Sequence, residues 1–199
     1  MRRLILLCIV ICFQSVSGQS LLKLPFGRVW GEDPSGLLQW AEKVKLSVIL
    51  ELPADRPSLQ IFTFQQPGGG IPWDRAPDRG KVHSIEARFH EDRLYELTIN
   101  FEYPGESPDE VRSRFHRLKG KLEAQMGAFR LNGRAQNVAD SFLTREESFH
   151  YEPAPRVFLL MAYSSVEDKL RDKGEGRYAV IYHNGPFGPP PVGVLPIKE

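Results

Sequence analysis

The sequence predicts an α+β protein in which an antiparallel sheet is packed by one long amphipathic helix and a shorter N-terminal helix. Three patterns predict it. Residues 82–103 alternate apolar and polar side chains, with Ile85, Ala87 and Phe89 followed by Tyr95, Leu97, Ile99, Phe101 and Tyr103. That is the period of a half-buried antiparallel strand. Residues 108–126 carry Val111, Phe115, Leu118, Leu122 and Met126 at helical spacing. A third segment, beginning at Asp33-Pro34, repeats Leu37, Trp40 or Ala41, and Val44 with the same period.

In chain order, the stretch "FGRVWGEDPSGLLQWAEKV" (residues 26–44) reads as a helix start. Asp33 is an N-cap residue, and Pro34 takes the first helical position, where its missing N–H costs nothing. Trp30 precedes the cap and is expected to pack back onto the apolar stripe. Residues 44–51 and 58–64 have strand composition, with "LPADRP" as the turn between them. Residues 65–81 hold a glycine run and three prolines, which forbid regular structure and predict a long loop.

In the hairpin over 82–103 both apolar sets are odd-numbered. Facing pairs must therefore sum to an even number, which predicts a three-residue loop. His90-Glu91-Asp92 puts Asp92 at the left-handed position, whereas Glu91-Asp92-Arg93 sets Arg88 opposite Glu96. The pattern leaves both open. The long helix opens with a capping box, Ser107 and Glu110 around Pro108, and Gly127 suits its end. Its expected partner is the odd-numbered face of the hairpin. Residues 149–151, 156–164 and 177–183 read as strands, and "SVEDKLRDK" (165–173) as a short helix capped by Ser164 or Ser165. The sheet is expected to hold six to eight strands, and no internal repeat is evident. The proline-rich end, 185–199, is expected to trail as an extended arm.

Residues 1–18 have the pattern of an export signal: Arg2 and Arg3, an apolar run from Leu4 to Phe13, and Val16-Ser17-Gly18 as a small-residue cleavage site. The run is about half the length a membrane helix needs, so no transmembrane anchor is expected after cleavage. The expected organisation is a signal peptide at 1–18, one domain at 19–184 and the tail at 185–199. Cys8 and Cys12 both lie in the leader, so the mature chain has no cysteine. This excludes a disulfide, a thiol nucleophile and a cysteine metal site. Losing Arg2 and Arg3 from the 26 basic residues leaves 24 against 25 acidic. Near-neutrality argues against nucleic acid as a partner bound by bulk charge.

Motifs for nucleophile elbows, zinc proteases, phosphate loops, dinucleotide folds and calcium loops are missing. The five histidines show no ligand spacing. His83 and His90 have opposite parity on one predicted strand, and His116 sits among Arg112, Arg117 and Lys119. No metal or cofactor is expected. Glu146 and Glu147 are adjacent and should diverge on a strand, and Glu86 and Glu96 face each other only in one register. The cationic face of the long helix (Arg112, Arg114, Arg117, Lys119, Lys121) reads as a solvated face or an anion contact. In the long loop, Trp73 with Asp74, Arg75 and Arg79 forms the candidate binding site. It is an aromatic among charges, with too little apolar sequence nearby to bury it.

The segment "FGRVWGEDPSGLL" resembles the opening of a group of exported bacterial proteins of unknown function. Their mature part begins Phe/Leu-x-Gly-x-x-Trp/Phe-Gly, followed by a cap residue and a short helix. Here the matching residues are Trp30, Gly31 and Asp33. The resemblance implies export, and an antiparallel sheet crossed by a longer helix. It implies no catalytic residue.

The functional expectation is an exported, periplasmic or secreted, non-enzymatic binding domain for an envelope or extracellular protein or polymer. Two alternatives make distinct demands. A hydrolase with a site dispersed in sequence requires a concave pocket with converging titratable groups. A small-ligand carrier requires an enclosed apolar cavity of about 300 Å3 or more.

Overall fold

The computed structural model describes residues 22–66, 71 and 82–189. The leader, most of the loop at 67–81 and the last ten residues lie outside them. The element order is α1 (Pro34–Lys43), β1 (Ser47–Glu51), β2 (Leu59–Gln65), β3 (Val82–His90), β4 (Arg93–Glu102), α2 (Pro108–Met126), β5 (Arg130–Ala139), β6 (Phe142–Ala154), β7 (Val157–Asp168) and β8 (Lys173–Asn184). All eight strands form one antiparallel sheet in the order β1-β2-β3-β4-β8-β7-β6-β5.

This order has a symmetry that composition hides. Each half is a helix followed by a four-stranded meander. The halves meet through the antiparallel pair β4–β8, whose register runs from Glu96↔His183 to Glu102↔Arg177. The topology therefore has two-fold character about an axis normal to the sheet, with β1 and β5 as equivalent edges.

Strand register defines the two faces. On one, Val48, Phe64, Ile85, Ile99, Val180, Met161, Phe149 and Leu131 lie opposite one another in a row across all eight strands. The centre of this face is fully buried. Both helices pack on it: Trp40 of α1 meets Phe64 edge-on, and Phe115 of α2 meets Tyr178, Tyr163 and Phe149. The other face carries no helix.

Both helix starts form as their sequences require. The Asp33 carboxylate accepts from the Ser35 N–H at 2.8 Å. Ser107 and Glu110 make the reciprocal capping box, and Val111, Phe115, Leu118 and Leu122 are buried. The indole of Trp30 is buried and donates to the Leu22 carbonyl at 2.6 Å. Gly31 has φ +74°, and a Cβ there would lie 2.8 Å from the Phe187 ring. The Trp-Gly pair is thus a structural clasp.

Four expectations are corrected. The hairpin loop is two residues long, Glu91-Asp92, both left-handed at φ 49° and 58°. The even-sum parity is restored by a bulge that lets β4 spend Leu94 and Tyr95 where β3 advances by one, and Arg88 then faces Glu96. α2 packs mainly on β8 and β7, and it meets the 82–103 hairpin at its end, where Arg114 lies 4.9 Å over the Tyr103 ring. In β8, Gly174 and Gly176 admit the helix start, since a Cβ at 176 would lie 3.1 Å from Val111. Residues 165–173 form no helix, because β7 and β8 run on to the Asp168↔Lys173 pair and turn there. The start of the tail does not trail. Residues 185–187 form a 3-10 turn, the Gly185 N–H donates to the Arg156 carbonyl at 2.7 Å, and Phe187 packs on the core.

Candidate functional site

The helix-free face is not flat. The row Ser84, Asn100, Ala179, Ala162, Ser148 and Gly133 crosses six strands, each residue directly opposite the next. Short side chains along one row leave a trough between rows of longer ones, and the trough is a groove of about 820 Å3. The adjacent row supplies its polar rim: Glu102, Arg177, Ser164 and Glu146, again in register. A second hollow of about 580 Å3 continues past the same four residues towards the turn after β4 and the β7–β8 hairpin.

Polar contacts in the groove are local. Asn100 donates to the Ser84 hydroxyl at 3.1 Å, Asn132 to Ser148 at 3.1 Å, and the Arg177 guanidinium to Ser164 at 3.4 Å. The register shift at His83 brings its Nδ1 to 3.3 Å from the Glu102 carboxylate, and both groups are exposed. Among the described residues no serine of the groove is hydrogen-bonded to a histidine.

Each of three imidazoles is tied to one carboxylate: His83 to Glu102, His116 to Glu147 at 2.7 Å, and His183 to Glu96 at 2.8 Å. The described residues contain no cluster of three metal-ligating side chains. Glu146 and Glu147 diverge as strand parity demands. Glu146 is on the groove's polar row, whereas the Glu147 carboxylate is buried against Arg112 and His116 of α2. Burial pushes the Glu147 carboxyl up, but hydrogen bonds from Arg112 and Arg134 outweigh it and hold it below the usual range. Arg88 bridges Glu86 at 2.7 Å and Glu96 at 3.2 Å, so the two acids are screened from each other.

The cationic face of α2 is largely spent on internal pairs. Arg112 binds Glu147, Arg114 binds Glu106 through two nitrogens at 2.6 and 2.9 Å, and Lys119 binds Glu123 at 2.6 Å. Among the described residues, no ion pair is seen for Arg117 or Lys121 of this face.

Trp73, Asp74, Arg75 and Arg79 lie outside the described residues. Ile71, which is described, bridges Val82, the neighbour of His83. Sequence reading missed the groove itself. Its floor is alanine, serine, glycine and one asparagine from six strands, residue types that carry no functional signal singly. The one available cue was the even-numbered set of the hairpin, with Ser84, Asn100 and Glu102 clustered at one end.

No family model matches the chain, and no curated protein or solved structure matches it significantly. No helix among the described residues is long and apolar enough to cross a membrane.

Proposed function

We propose that this chain is an exported, non-enzymatic binding domain whose contact surface is the groove on the helix-free face. The ligand is an extended polar segment of an envelope or extracellular polymer or protein. One observation carries the reading: six short side chains from six strands fall in one row, flanked by a row bearing Glu102, Arg177 and Glu146. A floor of small residues lets a ligand's backbone approach the sheet, and the charged rim supplies directional contacts. An apolar carrier fits less well, because this hollow is open and polar-rimmed. Trp73, Asp74, Arg75 and Arg79 remain a proposed second contact on their sequence alone, an aromatic among charges.

The hydrolase reading rests on His83 and Glu102, the groove's one imidazole–carboxylate pair. The test compares the secreted wild type with Ala162→Phe, which fills the trough from its floor without touching the core face. Immobilised protein is exposed to envelope and medium fractions, and bound material is identified by mass spectrometry and glycan analysis. Capture by the wild type, loss with Ala162→Phe and retention with His83→Gln support a binding groove. Turnover of bound material that His83→Gln abolishes would replace it with the enzyme. Equal capture by wild type and Ala162→Phe would remove the groove from the argument.

A further inference from the structure

We propose that two copies of this chain join edge to edge through β1, antiparallel, to form one continuous sheet. β1 ends the sheet order, so among the described residues one side of its backbone has no strand beside it. All five of its residues are exposed, and three neighbours in the strand are large and apolar: Val48 at 39 %, Ile49 at 51 % and Leu50 at 49 % exposure, with Leu52 at 64 % just beyond. Val48 and Leu50 lie opposite Phe64 and Phe62, which are core residues. Leu46, Val48, Leu50 and Leu52 therefore continue the buried face outward, and only Leu46 is covered.

The opposite edge is built differently. β5 carries a register shift between Leu131 and Gly133, and charges at Arg130 and Arg134. A bulge and an inward charge, here Arg134 on Glu147, are ordinary means of blunting an edge. Within β1, residues 47–50 include no charge, proline or bulge. Such a strand is a template for another.

Charge selects a second copy as the occupant. Lys43 and Lys45 precede the strand and Glu51 closes it, all three exposed. Antiparallel pairing of two identical strands brings the basic end of each against the acidic end of the other, twice. Parallel pairing sets like charges side by side. Only a register in which facing residues sum to an even number keeps the apolar sets of both copies on the same face. Centred on Ile49, the pairing sets Val48 opposite Leu50, Leu46 opposite Leu52, and Lys45 diagonal to Glu51. The two-fold axis is then normal to the sheet, and both grooves open on the same side.

The test uses the full secreted chain in sedimentation and in oxidative crosslinking. The wild type is expected to sediment at twice the mass of a single chain, and Leu50→Lys at that of one, with an unchanged circular dichroism spectrum. Ile49→Cys is expected to form an intermolecular disulfide rapidly, since the two sulfurs face each other across the axis. Glu51→Lys is expected to weaken the dimer roughly five- to tenfold, with recovery in the Lys45→Glu, Glu51→Lys double variant. A monomeric wild type overturns the proposal, as does an Ile49→Cys chain that stays unlinked, or a dimer that Leu50→Lys leaves intact.

Discussion

Replacing Glu147 by glutamine isolates the charge of one buried carboxylate while keeping its shape. The side chain is 2 % exposed, and one carboxylate oxygen accepts from Arg134 through two nitrogens at 2.9 and 2.5 Å and from Arg112 at 3.3 Å, while the other lies 2.7 Å from the His116 ring as an ion pair. These contacts tie α2 to the β5–β6 hairpin beside the Phe115–Phe149 contact. A hydrogen bond to a charged group contributes about 1.5–3 kcal/mol. The two guanidiniums are 37 and 58 % exposed, so water recovers part of what they lose, and glutamine still offers one acceptor. The expected cost is about 2–3 kcal/mol at neutral pH, or roughly 5–10 °C in Tm for a domain of this size. The folded carboxyl titrates below its ordinary value of 4.5. Its stabilisation is therefore complete above that value and is lost as pH falls through the folded pKa. Urea unfolding of wild type and Glu147→Gln at neutral pH and in acid should show a difference that narrows as pH falls. A loss below about 0.5 kcal/mol, or one that does not narrow in acid, would refute the clamp.

Three further outcomes follow from the fold. Gly31→Ala should destabilise by about 2–4 kcal/mol, part from left-handed φ and part from the Phe187 ring, and chemical denaturation of Gly31→Ala paired with Phe187→Leu should recover only the second part. Trp30→Phe should cost about 2–3 kcal/mol by leaving the Leu22 carbonyl without its indole donor, with the loss measured as a lower urea midpoint. Glu91→Asn should raise stability by about 0.5–1 kcal/mol, because asparagine accepts the left-handed first position of the two-residue turn, and a calorimetric Tm that does not rise would contradict the turn assignment.

The parts of the fold legible in the sequence were those with a local cause. Asp33-Pro34 and Ser107-Pro108 specify helix starts by hydrogen bonds within one turn, and the 82–103 alternation specifies a buried face by parity. β5 and the first half of β6 were not read. Their sequence, "RLNGRAQNVADSFLTREES", has no apolar alternation, because β5 is an exposed edge strand and Glu147 replaces an apolar residue on the inner face. The segment is strand because β7 offers it a ladder, which is a tertiary cause. For the same reason 165–173 looked helical: its charges suit a solvated helix turn equally well, and only the β7–β8 register decides.

The groove lies further still from what sequence reading reaches. A row across a sheet joins residues of one parity from strands that are distant in the chain, and its members are identified only by the full set of registers. Ser84 and Gly133 are 49 positions apart, yet they end the same line. The inner row through Phe64 and Ile99 announces itself, since burial demands apolar residues at every crossing. The outer row through Ala179 and Ala162 is under no such demand, and a helix-free face of long polar side chains would fold equally well. Folding therefore does not account for the smallness of that row across six consecutive strands, and this is why the groove, and not the caps or the clasp, is where we place function.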